Sequence, residues 1–242
     1  MQIPFTGSVR EFLTEHWSSA CHRPLWFRAD LDLSDLSSFL CGALAVIPSK
    51  DGPVSLVREE NIAGDLSRQS RFFDFHQDGL YLKSPPHFCF LHCLHPGRGD
   101  APTAFVDGMA LLAIIIDEFG AKMLSDLEIV YLGRDGKEHE RPLCEPHWCL
   151  AGSILNFGSR SYIRPTLQSV IHGRSPSLRD TAELMQRVFK CFEDMILLKV
   201  PWNRYDTVLW DNRRFIHARL GSEMDKDRCL ARVWFQRSRS YR

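Results

Sequence analysis

Apolar and polar residues alternate along this chain in short runs cut by turn-forming residues, more a strand pattern than a helical one. Leu36, Phe39, Leu40 and Ala43 or Leu44 are the early exception. They fall at helical spacing behind Asp32 or Ser34, either of which can cap a first turn. Residues 72–82 predict a strand, broken by Pro85-Pro86, and residues 88–94 predict a second, rich in aromatic and aliphatic side chains. Residues 97–102 form a turn-rich loop, after which Asp107 is placed to cap a helix reaching about Phe119. Residues 128–132 and 138–143 flank Arg134-Asp135-Gly136-Lys137, a hairpin signal. Residues 152–157 predict a short strand. Residues 177–198 predict the longest helix, with Leu184, Val188, Cys191 or Phe192, and Met195 along one face. Residues 208–210 and 215–218 predict strands around an Asp211-Asn212 turn, and residues 230–236 predict the last strand.

Strands therefore dominate the middle and the end. The regular strand–helix alternation of a parallel sheet is missing, as is a G-x-G-x-x-G turn, so a dinucleotide-binding fold is not expected. An antiparallel barrel or sandwich with helices packed outside is predicted. The 242 residues contain no internal repeat, low-complexity segment or Gly/Ser linker, which predicts a single domain over residues 1–242. A formal net charge of zero gives no drive toward nucleic acid or an anionic membrane surface, so neither partner is expected. The longest apolar run, residues 109–116, is too short to cross a bilayer. The first residues have no charged segment leading into an apolar run, so no secretory signal is expected. Eight cysteines include no C-x-x-C pair; reduced, mostly buried thiols and a cytoplasmic location are the expectation.

The candidate chemistry begins at Phe75-His76-Gln77-Asp78-Gly79. On a strand, residues two apart share a face, so His76 and Asp78 are predicted to project together. An imidazole and a carboxylate side by side are two of the three ligands of a facial triad, whose open positions suit an iron(II) oxygenase. A late histidine could complete it, and His217 is placed to do so. Arg228 and Arg232 lie four apart on an otherwise apolar strand, hence on one face of it. Buried guanidinium groups are costly without anionic partners, and their planar forks match carboxylates. Thr103, beside the Gly/Pro loop, could add a hydroxyl to the same carboxylate.

These residues resemble the taurine dioxygenase/TfdA-like branch of the iron(II)/2-oxoglutarate-dependent oxygenases, within the clavaminate-synthase-like superfamily. The resemblance is carried by FHQDGLYLKSPPHFCFLHCLHPGRGDAPTAF (residues 75–105) and LWDNRRFIHARLGSEMDKDRCLARVWFQR (residues 209–237). Its elements are H-x-D, a Pro pair, a strand and a Thr, then W-D-N-R, a distal His and two Arg four apart. It implies a mainly β fold with helices, a double-stranded β-helix (jelly roll) core decorated by α-helices. It implies iron held by His76, Asp78 and His217, with 2-oxoglutarate and O2 as co-substrates. Arg228 would bind the distal carboxylate of 2-oxoglutarate, helped by Thr103, and Arg232 would face the substrate, although the two arginine roles could be exchanged. The chain has Asp100-Ala101-Pro102-Thr103 where many relatives have Gly-Gly-Asp-Thr.

The reaction so implied couples decarboxylation of 2-oxoglutarate to succinate and CO2 with oxidation of a C–H bond. Hydroxylation, desaturation and cyclisation are all open, on an acidic or amino-acid-like small molecule. Asp78 argues against halogenation, because related halogenases put a small residue there. Phe72 and Leu80 are candidate substrate-pocket residues, and Trp148, Asn156, Arg160, Tyr162 and Arg164 weaker ones. Cys89, His92, Cys93 and His95 look like zinc ligands, but a strand would turn His92 away from the two thiols. His139 and His147 read as surface or rim residues. Two other readings are a non-catalytic jelly-roll binding protein and a cupin-type metal hydrolase or isomerase.

Overall fold

The computed structural model describes residues 9–32, 34, 45–49, 52–58, 73–99, 101–125, 128–132, 136–158, 190–192, 194–221 and 227–236. In chain order these form α1 (Val9–Ala20), β1 (Leu25–Arg28), β2 (Ala45–Ile47), β3 (Ser55–Arg58), β4 (Phe73–His76), β5 (Phe88–His95) and β6 (Thr103–Asp107). Then come α2 (Gly108–Phe119), α3 (Ala121–Ser125), β7 (Glu128–Leu132), β8 (Glu138–Pro142), β9 (Cys144–Pro146) and β10 (Ser153–Leu155). The last strands are β11 (Ile196–Val200), β12 (Asp206–Asp211), β13 (Phe215–Arg219) and β14 (Cys229–Gln236).

Two antiparallel sheets make the core. The larger has the order β1-β12-β5-β14-β2, with β3 also paired to β14; the smaller has the order β11-β6-β13-β4. The pairs β7-β8 and β9-β10 form two small sheets beside them. The mainly β, jelly-roll expectation holds.

Alternation of side chains explains how the sheets stack. Along β14, Leu230 and Trp234 join Cys89, Leu91 and Cys93 of β5 and Phe105 and Phe215 of the smaller sheet in one cluster between the sheets. The intervening Ala231, Val233 and Phe235 pack outward with Phe88 and Phe90 under Phe12 and Trp17 of α1. On the smaller sheet Ala104, Val106, Ile216 and Ala218 pack outward against Leu111, Leu112 and Ile115 of α2. Both faces of both sheets are covered, which is why the central strands read as nearly continuous apolar runs. The inward positions left on β6 and β13 are Thr103, His217 and Arg219, so polar residues enter a space otherwise filled by apolar ones.

Several expectations are corrected. The strand predicted over 72–82 ends at His76; Asp78 to Tyr81 form a turn. Gly79 makes this turn possible. Its φ is +69°, and a Cβ there would sit 2.7 Å from Cδ of Pro86. The helix predicted to end at Leu198 gives way by Ile196 to β11, which pairs with β6. Pairing to a sheet edge overrides helical spacing here. Residues 177–189 of that prediction, and the helix predicted from Leu36, lie outside the described residues. Asp107 caps α2 as expected, accepting from Met109 N–H at 2.9 Å. No helix among the described residues is long and apolar enough to cross a membrane.

Asp107 also receives the Arg214 guanidinium, at 2.6 Å from Nη2, while Nη1 of Arg214 reaches the carbonyl of Cys21 at 2.9 Å. One carboxylate thus ties α2 to the β12–β13 turn and, through Arg214, to the end of α1. Losing a cap and a charged hydrogen bond together costs about 2 kcal/mol or more. Asp107→Ala is therefore expected to lower the unfolding free energy by that amount, seen as a lower urea midpoint with an unchanged m-value, and an unchanged midpoint would contradict the role given to this residue.

Candidate metal centre

His76 closes β4 and lies directly across from His217 of β13 in the strand register. Facing positions on neighbouring strands bring side chains together, and the two rings have their centroids 4.3 Å apart. Asp78 reaches the same point from the turn, with Oδ1 3.6 Å from Nε2 of His76. One ligand atom from each of His76, Asp78 and His217 falls within 4.8 Å of the others, and all three residues are buried. This is the one such cluster among the described residues. The two-apart alternation argued from sequence is therefore replaced by a strand end followed by a turn, with the same juxtaposition as its outcome.

The protonation states suit a cation. His76 Nδ1–H donates to the carbonyl of Asp74 at 2.7 Å, which leaves the lone pair on Nε2. That Nε2 is buried with no hydrogen-bond partner, as is Nδ1 of His217. Orphaned buried polar atoms are rare and call for an occupant. Burial and the neighbouring His76 push the His217 imidazole down to about 3, so it is neutral and able to donate a lone pair. Burial alone would raise Asp78, but Arg232 and the two histidines outweigh it and hold the carboxyl well below the usual carboxylate range. Two neutral imidazoles and one carboxylate, with one side left open, fit a divalent iron.

Asp78 is held from every side. Its N–H donates to Oδ1 of Asn212 at 2.8 Å, and Nδ2 of Asn212 donates to its carbonyl at 2.9 Å and to that of Pro86 at 3.1 Å. Its Oδ2 accepts from Trp234 Nε1 at 3.0 Å, and the Cys89 thiol lies 3.7 Å away. Its Oδ1 is 3.4 Å from Nη1 of Arg232. The preceding Gln77 bridges Arg213 O and Phe157 N, each at 2.7 Å. Asp211 shapes the turn carrying Asn212: its Oδ1 accepts from the N–H of Arg213 at 2.8 Å, and its Oδ2 from Nε2 of His147 at 3.0 Å and Nε1 of Trp148 at 3.1 Å.

The triad opens into a cavity between the sheets, lined also by Phe73, Leu91, Thr103, Arg219, Arg228 and Arg232. Arg228 sits just before β14, ahead of a register shift at Cys229/Leu230, and still shares this cavity with Arg232. Burial and the nearby Arg219 lower its guanidinium to about 10. Thr103 pairs with Arg219 in register, and its Oγ1 accepts from Trp202 Nε1 at 2.9 Å, which leaves the hydroxyl proton for another acceptor.

Other expectations fare differently. Leu80 is buried in the cluster around α2 and is not among the cavity's lining residues. Phe72, Arg160, Tyr162 and Arg164 lie outside the described residues. His147 is buried on Asp211, not on the surface, because both its ring nitrogens have partners: Nδ1 accepts from Cys149 and Leu150 N–H. Asn156 is fully buried, donating to Pro142 O and accepting from Arg213. His92 turns away from Cys89 and Cys93 to Thr207 and Leu31, as a strand requires. Arg219, Phe73 and Trp234 were not singled out from sequence. Arg219 is two residues after His217 and Trp234 two after Arg232, so alternation from the two named residues finds both.

A family model described as taurine catabolism dioxygenase TauD, TfdA family matches residues 37–234. The chain is 27% identical over 155 residues to dioxygenase str8 of Strobilurus tenacellus, a match covering 61% of this chain and 35% of that protein. The chain thus matches about a third of that relative's length. Its fold is similar to that of PvcB from Pseudomonas aeruginosa, at TM-score 0.70 and 19% identity, covering 96% of this chain and 81% of the other. It is also similar to a taurine dioxygenase from Burkholderia xenovorans, at TM-score 0.67 and 16% identity over 97% and 84%. A third similar structure is AAD-2 in complex with Mn(II) and N-oxalylglycine, at TM-score 0.71 and 18% identity over 98% and 97%.

Partners that orient a metal-binding side chain set affinity, and losing one costs on the order of 10–100-fold. Trp234→Phe removes the indole N–H from Asp78 and keeps an aromatic ring, smaller than the indole, beneath Arg232. It is expected to weaken Mn(II) binding in an anaerobic titration by about tenfold, with circular dichroism unchanged. Wild-type affinity in this variant would show that the hydrogen bond does not orient the carboxylate.

Proposed function

The chain belongs to the taurine catabolism dioxygenase TauD, TfdA family, and from that premise we propose an iron(II)- and 2-oxoglutarate-dependent oxygenase that oxidises a C–H bond of a small carboxylate-bearing substrate, an amino acid or a biosynthetic intermediate. The observation that carries this reading is one cavity shared by the His76–Asp78–His217 cluster and by Arg219, Arg228 and Arg232. Among the described residues that line it, Asp78 carries the only carboxylate. The cavity therefore favours anionic occupants.

His76, Asp78 and His217 would hold the metal on one side and leave the other open to ligands from the cavity. Iron(II) held there, with 2-oxoglutarate and O2, would supply the oxidising power, with succinate and CO2 as the products of the co-substrate. Arg228 is the better partner for the distal carboxylate of 2-oxoglutarate. It shares its end of the cavity with Arg219 and Thr103, whose free hydroxyl proton adds a donor. Arg232 stands against Asp78 and over the Trp234 ring, where an acidic group on the substrate could meet it beside the metal-binding residues. The two sheets exclude water from the walls, which strengthens each of these charged contacts. Asp78 occupies the position that a halide would need, so oxygenation by hydroxylation, desaturation or cyclisation is the expected chemistry.

Incubation with iron(II), 2-oxoglutarate and O2 is expected to release succinate even without the substrate, and to release it faster when the right small acid or amino acid is added. His76→Ala should abolish this release; continued turnover would contradict the assignment. A charged hydrogen-bonded pair of this kind contributes on the order of 1.5–3 kcal/mol, equivalent to about 10–100-fold. Arg228→Met should raise the 2-oxoglutarate KM by that factor, whereas Arg232→Met should leave it within a few-fold and remove the stimulation by substrate. The reverse pattern would exchange the two arginine roles.

A further inference from the structure

A second cavity, of about 260 Å³, shares no lining residue with the first. It opens beside the segment that follows Asp78 and is lined by Lys83, Ser84 and His87 from that segment, Arg141 of β8, Glu145 of β9, and Arg213. Nothing in the proposed oxygenase chemistry uses it.

Its donors are not all satisfied. A guanidinium has five N–H groups. Arg141 gives Nε to the carbonyl of Leu80 at 2.7 Å and Nη2 to the carbonyls of Leu82 and, at 3.1 Å, Lys83. Its two Nη1 protons have no partner among the described residues. Arg213 gives Nη2 to Glu145 and, at 2.9 Å, to Oδ1 of Asn156. Its Nε and Nη1 likewise have none among the described residues, although the residue is only 7% exposed. Lys83 is exposed and makes no ion pair among the described residues. Ser84 Oγ accepts from Nε2 of Gln236 at 3.0 Å and keeps its own proton to give.

The charges do not balance either. Lys83, Arg141 and Arg213 bring three positive charges and Glu145 a single negative one. Burial and then the proximity of Arg141 lower the Arg213 guanidinium to about 10, and burial lowers Arg141. Two partly desolvated, like-charged forks, of which only Arg213 is paired with a carboxylate, are costly unless an anion joins them.

We propose that this cavity binds a small dianionic oxyanion, held by the spare N–H groups of Arg141 and Arg213, the Lys83 ammonium and the Ser84 hydroxyl. A ligand there would sit on the segment whose carbonyls Arg141 already grips, just after the metal-side Asp78.

The test is calorimetric titration of the protein loaded anaerobically with iron(II) and 2-oxoglutarate. Sulfate serves as the tetrahedral probe and succinate as the dicarboxylate probe. Saturable binding of at least one is expected, and the stronger of the two identifies the ligand class. One charge-assisted contact corresponds to about 5–10-fold in affinity. Lys83→Met should weaken binding by about that factor, and Glu145→Gln, which removes the competing carboxylate, should tighten it several-fold. Arg232→Met, in the other cavity, should leave it unchanged. No saturable heat from either probe would overturn the proposal. So would binding indifferent to both Lys83→Met and Glu145→Gln, or binding lost only in Arg232→Met.

Discussion

Asn212 grips the backbone of Asp78 from both directions, accepting from its N–H and donating to its carbonyl. The candidate centre depends on that grip. Asp78 lies beyond the end of β4, where no strand ladder pairs its backbone, and it is buried. A buried N–H and carbonyl need partners, and one side-chain amide supplies both. The same amide also reaches Pro86, so it closes the turn begun by Gly79. With the turn closed, the carboxylate stands beside two histidines that the strand register has already paired. The W-D-N-R segment is thus a support for the metal-side turn: Asp211 shapes its own turn, Asn212 holds Asp78, and Arg213 holds Gln77 through its carbonyl.

The layering makes such a polar pocket affordable. Because α1 and α2 cover the outer faces of the sheets, most of the apolar surface is buried outside the space between them. Part of that inner space can then be given to His76, Asp78, His217 and three arginines without dissolving the core. Buried guanidinium groups lower stability unless paired, and departures from local rules of this kind are expected where a protein binds something. The arginines in the inner cavity and those beside Glu145 follow the same logic at two places.

Much of this was legible from sequence, and what was missed has physical causes. The strands β5, β13 and β14 were readable because both faces of each are buried, which makes them nearly continuous apolar runs. The cap at Asp107 was readable because its signal is local. The three short strands β1 to β3 carry little periodicity of their own and exist by pairing to distant partners. The strand at Ile196–Val200 was hidden by a helical spacing that its pairing with β6 overrides. In the site, spacing and residue type pointed to the triad and to Arg228, Arg232 and Thr103. Leu80 instead packs in the cluster around α2 and is not among the described residues lining the cavity, because a turn at Asp78 changes which way the following residues face. His147 was misread as exposed because its partner, Asp211, is 64 residues away.

The central claim is that His76, Asp78 and His217 form one preorganised site for iron(II). Its most direct test is anaerobic iron(II) titration with 2-oxoglutarate present, followed by metal analysis of the wild-type protein and of His217→Ala. The account predicts one equivalent of tightly bound iron in the wild type and none in the variant, with both chains folded. No uptake by the wild type, or equal uptake by His217→Ala, would contradict it.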